Sequence, residues 1–236
     1  MHTAQEPASK ATCRTPRAGG FLQKLSPAAL ADLTSIRTPT SYEAGDILFS
    51  EKQEATAVFV VREGLVRLSM NSSGGKRLSL RVARAGEVLS LSSSLFETKC
   101  ETTAETLSPA KITHISGPEF RDFLRRHPEV YKLVTEEVSL QYTMVCDQLR
   151  TVGLSSSAPE KLARLLLDMS ENGQPTEHGT RFRFHLTHEQ IGEFIGASRE
   201  TVTRTLGTFK HRRLVAFNGS MLTIPNMSAL ESCAHN

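Results

Sequence analysis

The chain has 236 residues, 39% of them hydrophobic and 22% charged, with 28 Lys and Arg against 25 Asp and Glu for a net charge of +3. That balance excludes a disordered, fibrous or strongly polycationic chain and suits an ordinary soluble protein of two domains. No apolar run is long enough to span a bilayer and no signal-peptide core opens the chain, so a cytoplasmic protein with no membrane partner is expected.

Residues 1–20, rich in Ala, Thr, Pro, Gly and basic side chains, show no periodicity and read as a disordered tail. Ser26-Pro27 then starts a helix to about Arg37, with Leu22, Leu25, Leu30 and Leu33 as its apolar contacts. Between Thr40 and Ser116 the pattern changes to short β-rich runs. These are Val58-Phe-Val-Val, Leu65 to Met70, Leu78 to Val82 and Ile112-Thr-His-Ile, punctuated by Gly45, Gly64, Gly74-Gly75 and Gly86. Such spacing predicts an all-β roll or jelly roll, a domain over 21–117.

After Gly117-Pro118 a short helix is expected over Glu119 to Arg126, and Pro128 opens a longer one reaching about Val152, so that 118–154 is a helical connector. The longer helix carries two stripes. Val134, Val138, Gln141, Val145, Gln148 and Val152 recur at alternating four-three spacing, the seam of a two-stranded coiled coil. Leu133, Leu140 and Met144 form the other stripe, which is placed against the chain's own roll. Pattern alone leaves open a monomeric core helix or a dimer seam. Ser155-Ser-Ser-Ala-Pro reads as a hinge into a second domain, 155–236, in which Ser157 and Glu160 match a capping box and Leu162, Leu165, Leu166 and Met169 line a helix. Glu171 to Thr180 reads as an exposed loop, and the tail after Pro225 carries no legible signal.

The most informative stretch is Leu186 to Arg213. Thr187 with Gln190 makes a capping box, Ile191, Phe194 and Ile195 share a face, and Gly196 ends that helix. Ser198 caps a second helix whose Val202, Leu206 and Phe209 point inward, leaving Arg199, Glu200, Thr203 and Arg204 outward. These types suit the edges of base pairs: arginine is bidentate to guanine, a carboxylate accepts from cytosine, threonine meets a thymine methyl. Lys210 and Arg212 add sequence-independent charge for phosphates, and Ser198, at the start of the helix, is a further candidate DNA contact. Leu214 to Ile224, folded around Asn218-Gly219, reads as a hairpin wing. The alternating Arg181-Phe-Arg-Phe-His-Leu places Phe182, Phe184 and Leu186 inside and Arg181, Arg183 and His185 outside.

Ile191 to Leu206, IGxxxGxSRETVxRxL, resembles the recognition element of the CRP/FNR superfamily of bacterial transcription regulators, and Tyr42 to Leu68 resembles that family's cyclic-nucleotide-binding-type domain. The resemblance implies an α+β chain: an N-terminal β-roll, a long dimerisation helix and a C-terminal winged helix-turn-helix. It implies a sequence-specific transcription regulator, not an enzyme, that binds double-stranded DNA as a parallel homodimer on a palindromic operator and touches RNA polymerase. A TGTGA-like half-site is favoured and a TTGAT-like one stays open.

Two departures bear on the effector. Fumarate-nitrate regulators hold an iron–sulfur cluster on a cysteine group that this N-terminus lacks, since Cys13 stands alone and the other cysteines, Cys100, Cys146 and Cys233, are scattered. In nucleotide-binding members the cassette after Gly86 supplies a glutamate for the ribose and an arginine for the cyclic phosphate. Here those positions fall at Leu91 and Glu101, followed by Thr102, in a pocket of Ser90, Leu91 and Ser92. A carboxylate facing a phosphate is an electrostatic mismatch, so no response to cyclic AMP is expected. Arg81 and Arg84, just upstream, are read as exposed strand residues, the alternative being that they supply the missing charge. No cofactor and no metal site is predicted; haem on His114 or Cys100, or redox chemistry at Cys100 or Cys146, stays an alternative, as does a ligand-binding module acting through a protein partner. His185, His188 and Glu189 straddle a strand-to-helix boundary and make a poor metal site.

Overall fold

The computed structural model describes residues 20–154, 157–171 and 173–234. The disordered-tail expectation, with Cys13, falls on residues 1–19, and part of the hinge expectation on Ser155 and Ser156; both lie outside the described residues.

The chain enters through a 3-10 turn, Phe21–Lys24, and helix α1, Pro27–Ser35, whose first turn is capped where Ser26 Oγ accepts from the Ala29 N–H at 3.2 Å. Leu22, Leu25 and Leu33 are buried, whereas Leu30 stays exposed. A β-roll follows, with strands β1 (Thr38–Tyr42), β2 (Ile47–Phe49), β3 (Ala57–Glu63), β4 (Val66–Asn71), β5 (Arg77–Ala83) and β6 (Val88–Leu89), helix α2 (Leu91–Phe96), then β7 (Thr103–Thr106) and β8 (Ala110–Ser116). They form two antiparallel four-stranded sheets, ordered β1-β8-β3-β6 and β2-β7-β4-β5. Phe49, Phe59, Val61, Val66, Leu68 and Ile112 pack between the sheets. Val58, Val60 and Ile115 point the other way, into a second cluster with Phe21, Phe120 and Val134. A strand covered on both faces has no polar side, and this is why β3 reads as the unbroken run Ala57-Val-Phe-Val-Val.

Helix α3, Gly117–Arg126, is capped by Ser116, and α4 runs from Val130 to Leu154, about 37 Å at 1.5 Å per residue. The structure corrects the orientation expected for α4. Val134 is buried in the chain's own core, Gln141 donates its amide to the Val88 carbonyl at 2.7 Å, and Gln148 donates to the carbonyls of Ser79 at 2.9 Å and Phe194 at 2.7 Å. An amide needs partners, and the neighbouring β-roll together with Phe194 of the C-terminal domain supplies them, so the two glutamines turn onto the home chain. Leu133 packs on the same core while Leu140 and Met144 are half-buried. The unpartnered apolar face is rotated toward Tyr131, Tyr142 and Leu149, which are 48%, 71% and 55% exposed, with the half-buried Val138, Val145 and Val152 along its edge.

The C-terminal domain comprises α5 (Ala158–Ser170), β9 (Gln174–Thr176), β10 (Gly179–Arg183), α6 (His188–Ile195), α7 (Arg199–His211), β11 (Ala216–Asn218), β12 (Met221–Ile224) and α8 (Met227–Ala234). Ser157 Oγ accepts from the Glu160 N–H, and the Glu160 carboxylate pairs with Arg164. The segment expected as a plain loop instead contributes β9, hydrogen-bonded to β10 in a sheet ordered β11-β12-β10-β9. The tail without a legible signal is α8, which buries Leu230 and Ala234 against the core of Leu162, Leu166, Phe182, Ile191, Leu206 and Phe209. Its start is fixed where Asn226 accepts from the Ala229 N–H at 3.0 Å. Among the described residues no helix is long and apolar enough to cross a membrane, and no group of three His, Cys, Asp or Glu side chains is placed to hold a metal.

Candidate nucleic-acid interface and effector pocket

Helices α6 and α7 are built by the signals their sequence carries. Gln190 N–H donates to Thr187 Oγ1 at 3.2 Å while Thr187 N–H donates to Gln190 Oε1 at 2.9 Å, a complete capping box. Gly196 ends α6 in the left-handed region at φ 64°. Gly192 is required by the tightness of the turn, because a Cβ there would lie 2.5 Å from the Ala197 carbonyl oxygen. Ser198 Oγ accepts from the Thr201 N–H at 3.2 Å and starts α7. Val202, Leu206 and Phe209 are 2% exposed or less, so the α7 register is fixed by burial.

That register exposes Ser198, Arg199, Glu200, Thr203, Arg204, Lys210 and Arg212. The outward face therefore joins two guanidiniums to a carboxylate over the first two turns, with further cations toward the C-terminal end. Donors for guanine and an acceptor for the cytosine amino group stand on one rigid element. The Glu200 carboxyl is held below the usual carboxylate range by hydrogen bonding to its own backbone N–H and to Ser198, with Arg199 adding to the effect. Because the shift is downward, the charged, accepting form persists as the medium acidifies. Base discrimination lost in Glu200→Gln is thus expected to stay constant in wild type from about pH 8 to about pH 5. A wild-type profile that converges on the glutamine variant inside that window, in competition binding, rejects the assignment.

Two contacts refine the expectations. Thr203 donates its hydroxyl to the Arg199 carbonyl at 2.9 Å, so its oxygen accepts from His188 Nδ1–H, 2.8 Å away. With the hydroxyl engaged, the methyl is the part of the Thr203 side chain left without a hydrogen-bonding task. His188, weighed in the sequence only as a metal ligand, is thereby tied to the reading helix. No spacing rule signals this contact, which joins the start of α6 to the second turn of α7. Lys210 lies 4.6 Å over the Phe217 ring of the wing, a cation–π contact that anchors hairpin to helix. The hairpin pairs Asn218 with Met221, so its two-residue turn is Gly219-Ser220, one residue later than expected. Arg181 and Arg183 are exposed beside it, but burial, reinforced by Arg183, pushes the His185 pKa down and leaves that ring neutral at pH 7.

Much of the cassette after Gly86 packs into the chain's own core. Leu91, which the resemblance aligns with the ribose contact, is 1% exposed and belongs to the core. Glu101, which the resemblance aligns with the phosphate contact, accepts from Ser93 Oγ at 2.7 Å, with Thr102 next to it half-buried. The hydroxyls of this cassette are turned inward: Ser94 donates to the Ala57 carbonyl at 2.7 Å, and Ser90 Oγ lies 3.3 Å from Ser94 Oγ and 3.9 Å from Cys100 Sγ. Ser92 is half-buried in a groove shared with Phe96, Tyr131 and Val138. Arg81 corrects an expectation. Its side chain is only 9% exposed and is paired with Glu87, while Arg84 donates to the Asp168 carbonyl at 3.1 Å. Sequence could not show this, because β5 bulges at Leu80 and turns Arg81 into the roll. Burial pushes the Cys100 thiol up, and His114 Nδ1 stands 3.5 Å from Thr40 Oγ1.

Comparison with known proteins agrees with both halves. Residues 39–127 match the family model of the cyclic nucleotide-binding domain, and residues 160–233 that of the Crp-like helix-turn-helix domain. The chain is 23% identical over 213 residues to a CRP-like cAMP-activated global transcriptional regulator of Mycobacterium tuberculosis, covering 89% of this chain and 94% of that one. It is 22% identical to the global nitrogen regulator of a Synechocystis strain, over 80% of this chain and 85% of the other. The solved structure of FixK2 from Bradyrhizobium japonicum shares the fold with a TM-score of 0.75 at 20% identity, covering 84% of this chain and 97% of that one.

Proposed function

As a member of the CRP/FNR family of transcription regulators, the chain joins a cyclic nucleotide-binding domain to a DNA-binding helix-turn-helix domain, and we propose that it acts as a homodimer on a palindromic operator without responding to cyclic AMP. The observation that carries this reading is the open face of α7, where Arg199, Glu200 and Arg204 stand exposed on a helix whose other side is wholly buried.

The dimer rests on α4. Tyr131, Val138, Tyr142, Val145 and Leu149 follow one another at seven-, four-, three- and four-residue steps, a coiled-coil seam on which Val138 also touches the chain's own core while Tyr131, Tyr142 and Leu149 stay exposed. A second copy related by a two-fold axis would cover it and set two α7 helices about 34 Å apart, one turn of DNA. The β9–β10 hairpin, exposed beyond the wing, is the surface offered to RNA polymerase. Selection of binding sites from random duplexes, with light scattering for mass, tests the reading. An inverted repeat bound by a species of twice the chain mass is expected, and a monomer that retains no repeat rejects it.

The independence from cyclic AMP rests on Leu91 and Glu101. A cyclic phosphate brought to this site would meet a carboxylate already hydrogen-bonded to Ser93, with no arginine on the cassette to receive it. Calorimetric titration with cyclic AMP is expected to give no heat of binding in the micromolar range. A saturable isotherm there would overturn this part of the reading. No iron–sulfur cluster is proposed either, because such clusters take four thiolates and Cys100 is packed in the core of the roll.

A further inference from the structure

The contact between the roll and the C-terminal domain is a buried polar junction. Arg67, on the outer face of β4 and 2% exposed, donates to Glu105 of β7 at 2.7 Å and to Glu193 of α6. Ser79, fully buried on β5, donates its hydroxyl to the same Glu193 oxygen at 3.1 Å. Gln148 of α4 closes the junction by donating to the carbonyls of Ser79 and Phe194, so that roll, long helix and helix-turn-helix meet at one point. Val82 and Leu107 of the roll pack on the C-terminal core around it.

Glu193 lies on the side of α6 turned toward the roll, and the reading face of α7 stays exposed while the junction is closed. The junction therefore does not cover the base-reading side chains; it fixes where they stand relative to α4. Leaving it would strip a buried guanidinium of one carboxylate and wet two apolar side chains, so the closed arrangement is strongly preferred. We infer that Glu193 is a positioning residue which, through Arg67 and Ser79, sets the half-site spacing that the protein accepts.

The inference rests on the dimeric, operator-binding reading above. A domain held at one angle to the dimer axis can engage two half-sites only at one separation, because two extra base pairs rotate the second half-site by about 70°. A domain released onto its tether reaches several separations, but it binds the correct one less well because the competent arrangement is only a fraction of its population.

The test uses the full-length protein as wild type, Glu193→Gln and Gln148→Leu, the last removing the junction from the α4 side. Each is titrated against the selected palindrome, the same half-sites with two added central base pairs, and a single half-site. Wild type is expected to lose at least about thirtyfold in affinity on the widened palindrome. Each variant is expected to bind the native palindrome about tenfold more weakly, to lose no more than about threefold on widening, and to bind the single half-site as wild type does. Loss of folding would weaken the single half-site equally, so that arm separates positioning from damage. Wild type that prefers the native spacing while both variants keep the same preference overturns the inference and leaves the operator reading standing. Wild type indifferent to the palindrome rejects the operator reading, and this inference falls with it.

Discussion

Replacing Arg67 by alanine is expected to destabilise the protein by about 3 kcal/mol and to lower its melting temperature by on the order of 10 °C. The guanidinium is 2% exposed and serves Glu105 and Glu193 from two domains, so its removal leaves two carboxylates facing one another across a desolvated gap. Truncating one partner of a buried ion pair costs about 3–5 kcal/mol, chiefly through the charge left behind. The lower end applies because Glu105 and Glu193 are themselves 16% and 18% exposed and keep some contact with water. Arg77 is the internal control. It pairs with the same Glu105 at 3.3 Å, but from a side chain 36% exposed, and Arg77→Ala is expected to cost less than about 1 kcal/mol. Thermal denaturation followed by circular dichroism reads both, and equal shifts for the two variants would show that burial at Arg67 does not matter.

Arg199→Ala and Arg204→Ala are each expected to remove about 1–3 kcal/mol of discrimination at one guanine per half-site, roughly 5- to 150-fold in relative affinity. The basis is the register of α7, which exposes both side chains while Val202 and Leu206, on the opposite face, are 2% exposed or less. A bidentate guanidinium reads two acceptors of guanine that no other base pair presents in that geometry, so alanine relaxes preference at that position without abolishing binding. Lys210→Ala is expected to behave differently, weakening every duplex alike and lowering the salt dependence by about one unit, because an ammonium near the C-terminal end of α7, over Phe217 of the wing, acts as a point charge for phosphates. Competition titrations with operator, single-base variants and random DNA distinguish the two behaviours. Uniform losses for the arginine variants would exclude base reading by this helix.

How far the chain could be read in advance depends on the range of the interaction that fixes each feature. Thr187, Gln190, Gly196 and Ser198 satisfy or end helix termini within four residues of themselves, and Val202, Leu206 and Phe209 repeat at helical spacing. The helix-turn-helix and its outward trio were thus present in the sequence. The same holds for β3, whose apolar run announces a strand buried on both faces. Strand β1, Thr38-Pro-Thr-Ser-Tyr, has no such pattern and is a strand because β8 lies beside it; β9 likewise exists through its pairing with β10.

Sequence by itself determined the order of the helices in the C-terminal domain and the outward face of α7, since caps and periodicity act locally. Tertiary structure alone decided which side of α4 stays exposed, because Gln141 and Gln148 donate to the carbonyls of strand residues more than fifty positions away. It also decided that Arg81 is turned inward by a bulge and that Arg67 meets Glu193 across 126 residues of chain. An ion pair of that reach has no period and no spacing; it arises only when two surfaces distant in sequence dock and exclude the water between them.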